Sequence, residues 1–167
     1  MTAKSKKNYT IPPGADIGHV HLKVSDIQQS LDFYCGLLGF EITSRYGEDA
    51  VFISAGGYHH HIGLNTWFSK NAGPAAKNTP GLFHTAIRYP SRKDLAAILQ
   101  RLSEKNYPIT GAADHGVSEA LYLDDPDSNG VELYWDRPRD QWPVEEDGSL
   151  KMYTRRLDIA GLLRELK

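Results

Sequence analysis

The chain of 167 residues and 18.7 kDa is long enough for one ordinary domain, or for two small modules sharing a core. Nineteen Lys and Arg stand against 21 Asp and Glu, and this near balance excludes the basic stripe that a nucleic-acid partner requires. No apolar run approaches the ~20 residues of a membrane span, and the lone Cys35 has no partner for an internal disulfide. The opening Met-Thr-Ala-Lys-Ser-Lys-Lys is basic but lacks the apolar segment of a signal peptide. A cytoplasmic protein that handles small molecules is therefore expected, without nucleic-acid or membrane partners.

Residues 1–15 read as a polar N-terminal tail, frayed over its first ten. From Ile17 an alternation predicts a strand to Asp26, with Val20, Leu22 and Val24 on one face and His19, His21 and Lys23 on the other. Asp26 can cap a helix whose apolar stripe contains Ile27, Leu31, Phe33, Tyr34, Leu37 and Leu38, and Gly39 ends it. Strand candidates follow at residues 40–45, 50–54 and 60–66, which gives a βαβββ module over residues 16–68.

Residues 69–80 read as a linker, after which the same order recurs over residues 81–136. A strand is predicted at 81–89, then a helix capped by Ser91 that carries Leu95, Ile98, Leu99 and Leu102 and breaks at Asn106. Strands at 107–110, 120–123 and 131–135 complete the second βαβββ. Residues 137–167 read as a loop and an amphipathic helix over 154–166, a packing tail that could also serve a homodimer. Trp67, Phe68, Trp135 and Trp142 are expected to cover the core or line a pocket. The fold class is α+β, two tandem βαβββ modules forming a half-open barrel around a metal site.

The metal expectation comes from matching the modules position by position. His19 pairs with His84 in the opening strands, and Gly63 pairs with Glu132 in the closing ones. Two imidazoles and one carboxylate, with the fourth position empty, form the facial set that suits non-haem Fe(II) because it leaves one face free. Mn, Zn or Ni could occupy the same donors.

The segment from His19 to Phe40 resembles the opening pattern of the vicinal-oxygen-chelate superfamily, H-x-x-L-x-V-x-D…F-Y-x-x-x-L-G-F. Asp125-Pro126-Asp127-Ser128-Asn129-Gly130-Val131-Glu132-Leu133 resembles its closing D-P-D-G-[NH]-x-x-E-[LI]. That superfamily includes glyoxalase I, extradiol dioxygenases and metal-free bleomycin-binding proteins. Glyoxalase I enzymes place a fourth ligand, Glu, where Gly63 stands, and only Glu48 or Glu119 could replace it, through inward-folded loops. Extradiol enzymes keep His, His and Glu alone.

Asp114-His115-Gly116-Val117-Ser118, followed by Tyr122 and the Asp-Pro-Asp turn, is similar to the extradiol pattern H-G-V-S…Y-x-x-D-P-D. The resemblance implies that Tyr122 hydrogen-bonds substrate catalytically and that His115 contacts it. His59-His60-His61-Ile62-Gly63-Leu64 resembles the segment that supplies the acid–base histidine. Its register puts that role on His60, whereas strict alternation from Gly63 aims His61 inward. His21 and His61 join His115 as substrate-binding candidates. The implied activity is an Fe(II)-dependent ring-cleaving dioxygenase taking a catechol, or another vicinal diol, and dioxygen. A glyoxalase-like isomerase or lyase, and a small-molecule binding protein, are the alternatives.

Overall fold

A computed structural model describes residues 8–76 and 78–167, so the tail expected over 1–7 lies outside the described residues. Residues 8–19 run without regular structure into β1, Val20–Lys23. The Asp26 carboxylate then accepts the Gln29 N–H at 2.8 Å and starts α1, Ile27–Leu31. The helix widens into a π-helical turn, Asp32–Leu37, and stops at Gly39, whose φ of 90° suits a residue without Cβ. Strands β2, Glu41–Tyr46, β3, Ala50–Ser54, and β4, Ile62–Asn65, complete the first module.

The second module repeats the order with β5, Thr85–Arg88, α2, Arg92–Glu104, β6, Gly111–Asp114, β7, Ser118–Asp124, and β8, Gly130–Asp136. Ser91 caps α2 by accepting the Asp94 N–H at 3.1 Å, and Asn106 ends it at a φ of 53°. The first sheet has the order β1-β4-β3-β2. The second has β5-β8-β7-β6-β9, where β9, Arg155–Arg156, is added from the C-terminal segment. Both sheets are open, and the fold is α+β.

Three expectations are corrected. The strand expected at 107–110 lies instead at Gly111–Asp114, because Tyr107 is held in the preceding connection. Its hydroxyl donates to the Asp124 carbonyl at 2.7 Å, and its ring lies 5.2 Å from that of Phe33. The C-terminal helix is only α3, Ile159–Arg164, since Asp158 caps it by accepting the Gly161 N–H. Phe68 does not cover the core; it is 88% exposed, and Trp67 is half exposed.

One hydrophobic core joins the modules, running from Leu22, Val24 and Tyr34 in the first to Leu95, Leu121 and Leu133 in the second, and on to Leu157 and Leu162. The π-helical turn serves this junction. Arg101 of α2 donates to the carbonyls of Leu37 and Gly36, both at 2.7 Å, and the buried Tyr34 hydroxyl donates to Asp125 at 3.0 Å. Burial, together with the Asp125 charge, raises the Tyr34 phenol far above its ordinary value, so it stays a donor.

Candidate active site

The strand register bears directly on the duplication. In the first sheet β1 runs parallel to β4 with Val20 opposite Ile62 and His21 opposite Gly63. In the second, β5 runs parallel to β8 with Thr85 opposite Val131 and Ala86 opposite Glu132. His19 and His84 therefore occupy equivalent positions one residue before their strands, and Gly63 is equivalent to Glu132. The pairs differ in which strand carries the bulk. A Cβ on Gly63 would meet the His21 ring at 2.9 Å, whereas Glu132 faces the small Ala86. The space that a fourth carboxylate would use is thus taken by the His21 imidazole.

In the second module four side chains form a continuous series. His84 Nε2 lies 3.0 Å from Glu132 Oε2, and the Tyr122 hydroxyl lies 3.0 Å from Glu132 Oε1. His115 Nε2 lies 2.7 Å from the same hydroxyl. Tyr122 stands directly opposite Glu132 across the β7–β8 ladder, which explains the contact. Burial, then the Glu132 charge and hydrogen bond, push the Tyr122 phenol up to about 12, so it remains protonated at neutral pH. Gly130 sets His84 in place, because the Phe83 carbonyl passes where its Cβ would be.

The first module holds imidazoles instead. The ring centroids of His19 and His60 lie 4.4 Å apart, and Phe52 packs 5.0 Å from His60. His60 Nδ1 meets His59 Nδ1 at 2.7 Å. Desolvation, then the neighbouring imidazoles of His19, His59, His21 and His61, lower the His60 pKa and favour its neutral form. His61 is turned elsewhere: its Nδ1 lies 2.9 Å from the Ser54 hydroxyl and accepts the Ala55 N–H at 3.3 Å. Alternation does not govern residues 60 and 61, since β4 begins only at Ile62. The exposed His21 ring lies 5.7 Å from Trp67 and 5.8 Å from Phe52.

The donor chemistry of His19, His84 and Glu132 suits a divalent cation. His84 Nε2 and Glu132 Oε2 already face one another at 3.0 Å, about the separation of two neighbouring donors each ~2.1 Å from one ion. The structure brings these two together and places His19 beside His60. Among the described residues no group of three or more His, Cys, Asp or Glu is close enough to hold a metal ion. The second nitrogen of His84, Nδ1, is buried and unpartnered among the described residues. Glu119 is not a spare ligand. It is buried, with Arg92 Nε at 2.8 Å and Arg137 Nη2 at 2.9 Å. Arg137 also holds Asp114 through both terminal guanidinium nitrogens, at 2.8 and 3.1 Å.

Two residues near this series carry no signal of their own in the sequence. The Tyr153 carbonyl lies 3.0 Å from His115 Nδ1, and the Thr154 hydroxyl lies 3.3 Å from it. They belong to the C-terminal segment expected to be a packing tail or to serve a homodimer. The Tyr153 contact spans 38 residues and uses a backbone atom, which no side-chain pattern announces.

The family model of the Glyoxalase/Bleomycin resistance protein/Dioxygenase superfamily matches residues 16–133, from the approach to β1 into β8. The chain belongs to this superfamily. It is 41% identical over 149 residues to catechol-2,3-dioxygenase of Bacillus subtilis (strain 168), covering 89% of this chain and 51% of that protein. It is 31% identical over 124 residues to biphenyl-2,3-diol 1,2-dioxygenase 3 of Rhodococcus globerulus, covering 72% and 63% respectively. The superfamily domain here thus spans between half and two-thirds of the length of these curated relatives. Among solved structures, a glyoxalase/dioxygenase from Nostoc punctiforme superposes with a TM-score of 0.64 at 17% identity, covering 79% of this chain and 99% of that one. Lactoylglutathione lyase from Agrobacterium tumefaciens gives 0.58 at 19% identity, over 74% and 96%. At such identities the two superpositions speak for the fold alone. Among the described residues no helix is long and apolar enough to cross a membrane.

Proposed function

We propose that this domain is an extradiol-type dioxygenase acting on a catechol or a similar vicinal diol. The observation that carries the reading is the unbroken series His84–Glu132–Tyr122–His115, in a chain whose relatives at 31–41% identity are diol dioxygenases. His19, His84 and Glu132 would hold the divalent cation, Fe(II) by ligand type, with Mn, Zn or Ni able to replace it. Such a cation would supply Lewis acidity toward the diol.

The chain's own residues handle the rest. Neutral His60, beside His19, accepts a proton from the diol and returns one during ring opening. Tyr122, protonated to about pH 12, hydrogen-bonds a substrate oxygen and so fixes the orientation of the ring. His115 holds Tyr122 in turn. Phe52, Trp67 and His21 offer aromatic surface on the side of the first module. A glyoxalase-like isomerisation lacks its fourth carboxylate, because Gly63 has no side chain, Glu48 lies in an exposed turn between β2 and β3, and Glu119 is committed to Arg92 and Arg137.

Oxygen uptake by Fe(II)-reconstituted protein across a panel of catechols tests the reading, with optical detection of the ring-fission product. Uptake that needs Fe(II) and vanishes in Glu132→Ala is expected. Stoichiometric iron without uptake on any catechol would overturn it.

A further inference from the structure

We infer that the C-terminal segment is part of the site, and that the Tyr153 backbone fixes the His115 ring so that its Nε2 lone pair competes with Glu132 for the Tyr122 hydroxyl proton. The inference rests on the reading of Tyr122 and His115 as site residues. Tyr153 grips His115 through both of its backbone polar groups. Its N–H donates to the His115 carbonyl at 3.3 Å, and its carbonyl lies 3.0 Å from His115 Nδ1. A carbonyl only accepts, so Nδ1 carries the hydrogen, and a neutral imidazole then has a bare Nε2.

That bare nitrogen lies 2.7 Å from the Tyr122 oxygen. The hydroxyl has one proton and two acceptors, Nε2 on one side and Glu132 Oε1 on the other. Tyr153 is therefore a positioning residue acting through His115. The rival arrangement has the Thr154 hydroxyl donate to Nδ1 from 3.3 Å and His115 carry its proton on Nε2. It sets the Nδ1 lone pair against the nearer Tyr153 oxygen, an acceptor facing an acceptor.

The segment is fastened close by. β9 pairs with β6 through Asp114–Arg155 and Ala113–Arg156, and the Arg155 guanidinium stacks 4.2 Å from the centre of the Tyr153 ring. Gly116 lets Tyr153 approach, since a Cβ there would meet the Tyr153 ring at 2.7 Å. Leu157 and Leu162, further on, are buried in the core.

Nitrogen-15 NMR of histidine-labelled full-length protein reads the tautomer directly. It is run at about pH 8.5, two units above the ordinary imidazole value. His115→Gln assigns the signal among the seven histidines. The expected result is an Nδ1–H ring in the wild type, unchanged in Thr154→Val. In Tyr153→Gly/Arg155→Gly, which removes the stack and frees the backbone but spares Leu157 and Leu162, the ring becomes a mixture of tautomers. An Nε2–H ring in the wild type overturns the inference. An Nδ1–H ring that persists in the glycine variant also overturns it. The tautomer is read without turnover, so an Nδ1–H ring in a protein inactive on every catechol would sink the dioxygenase reading while leaving the Tyr153 grip intact.

Discussion

The two modules share one strand register but present opposite chemistry. In the first, His19 and His21 are exposed and face other rings, His60, Phe52 and Trp67. In the second, His84, Glu132, Tyr122 and His115 are half-buried and joined by contacts of 2.7 to 3.0 Å. One equivalent position decides much of this. Gly63 lies beneath the ring of His21, while Glu132 stands opposite the methyl of Ala86. Duplication can thus keep a backbone frame while moving bulk from one strand to its neighbour. One half is left with imidazole and aromatic rings and the other with the carboxylate.

The largest test of that contrast is Glu132→Ala, which should weaken divalent-metal binding at least about hundredfold by titration calorimetry and abolish oxygen uptake. His21→Ala, in the first module, should leave metal affinity within severalfold. Equal losses in both variants would erase the division of labour.

Next come two structural changes confined to the second module. Gly130→Ala collides with the Phe83 carbonyl and should cost roughly 3 kcal/mol in urea unfolding. Arg137→Met leaves Asp114 without its bidentate partner and Glu119 with Arg92 alone, so a loss of about 3 kcal/mol is expected at neutral pH. That loss depends on pH. Burial tends to raise the Asp114 carboxyl, but the Arg137 bonds and charge, with the Gly116 N–H, outweigh it and hold it low. Its contribution is therefore fully present above the ordinary carboxylate range and is lost as pH falls through the depressed folded value. The gap between wild type and Arg137→Met should narrow in acid, and a gap that widens there would contradict the assignment.

The smallest effect sharpens the comparison most. Gly63→Ala forces the His21 ring aside and should cost no more than about 1.5 kcal/mol. It should raise KM for bulky diols more than it changes kcat, and His21→Ala in the same chain should restore KM. Failure of the second change to compensate the first would show that the two positions are not coupled.

Much of this frame is legible in the sequence because alternation and capping are local. Asp26, Ser91, Gly39 and Asn106 mark helix ends, and the matched histidines give the register before any coordinates. What escapes is set by distant partners. Gly111-Ala112-Ala113-Asp114 has little intrinsic strand preference and is a strand because β7 and β9 flank it. Two arginines in succession do not announce β9, and the leucines from 157 onward cannot show that Asp158 delays the helix. The site divides in the same way: ring types and spacing point to His84 and Glu132, but the turning of His61 toward Ser54 depends on a non-helical, non-strand stretch.

The widened turn at Asp32–Leu37 has a consequence for how the chain comes apart. Its released carbonyls are taken by Arg101 of the other module, and Tyr34 reaches Asp125 from the same turn. Neither repeat closes its own hydrogen bonding or its own apolar interior. Heat or denaturant should therefore melt both in one cooperative transition, with calorimetric and van't Hoff enthalpies in agreement. A gene cut within residues 69–80 should yield two fragments that acquire structure only when mixed.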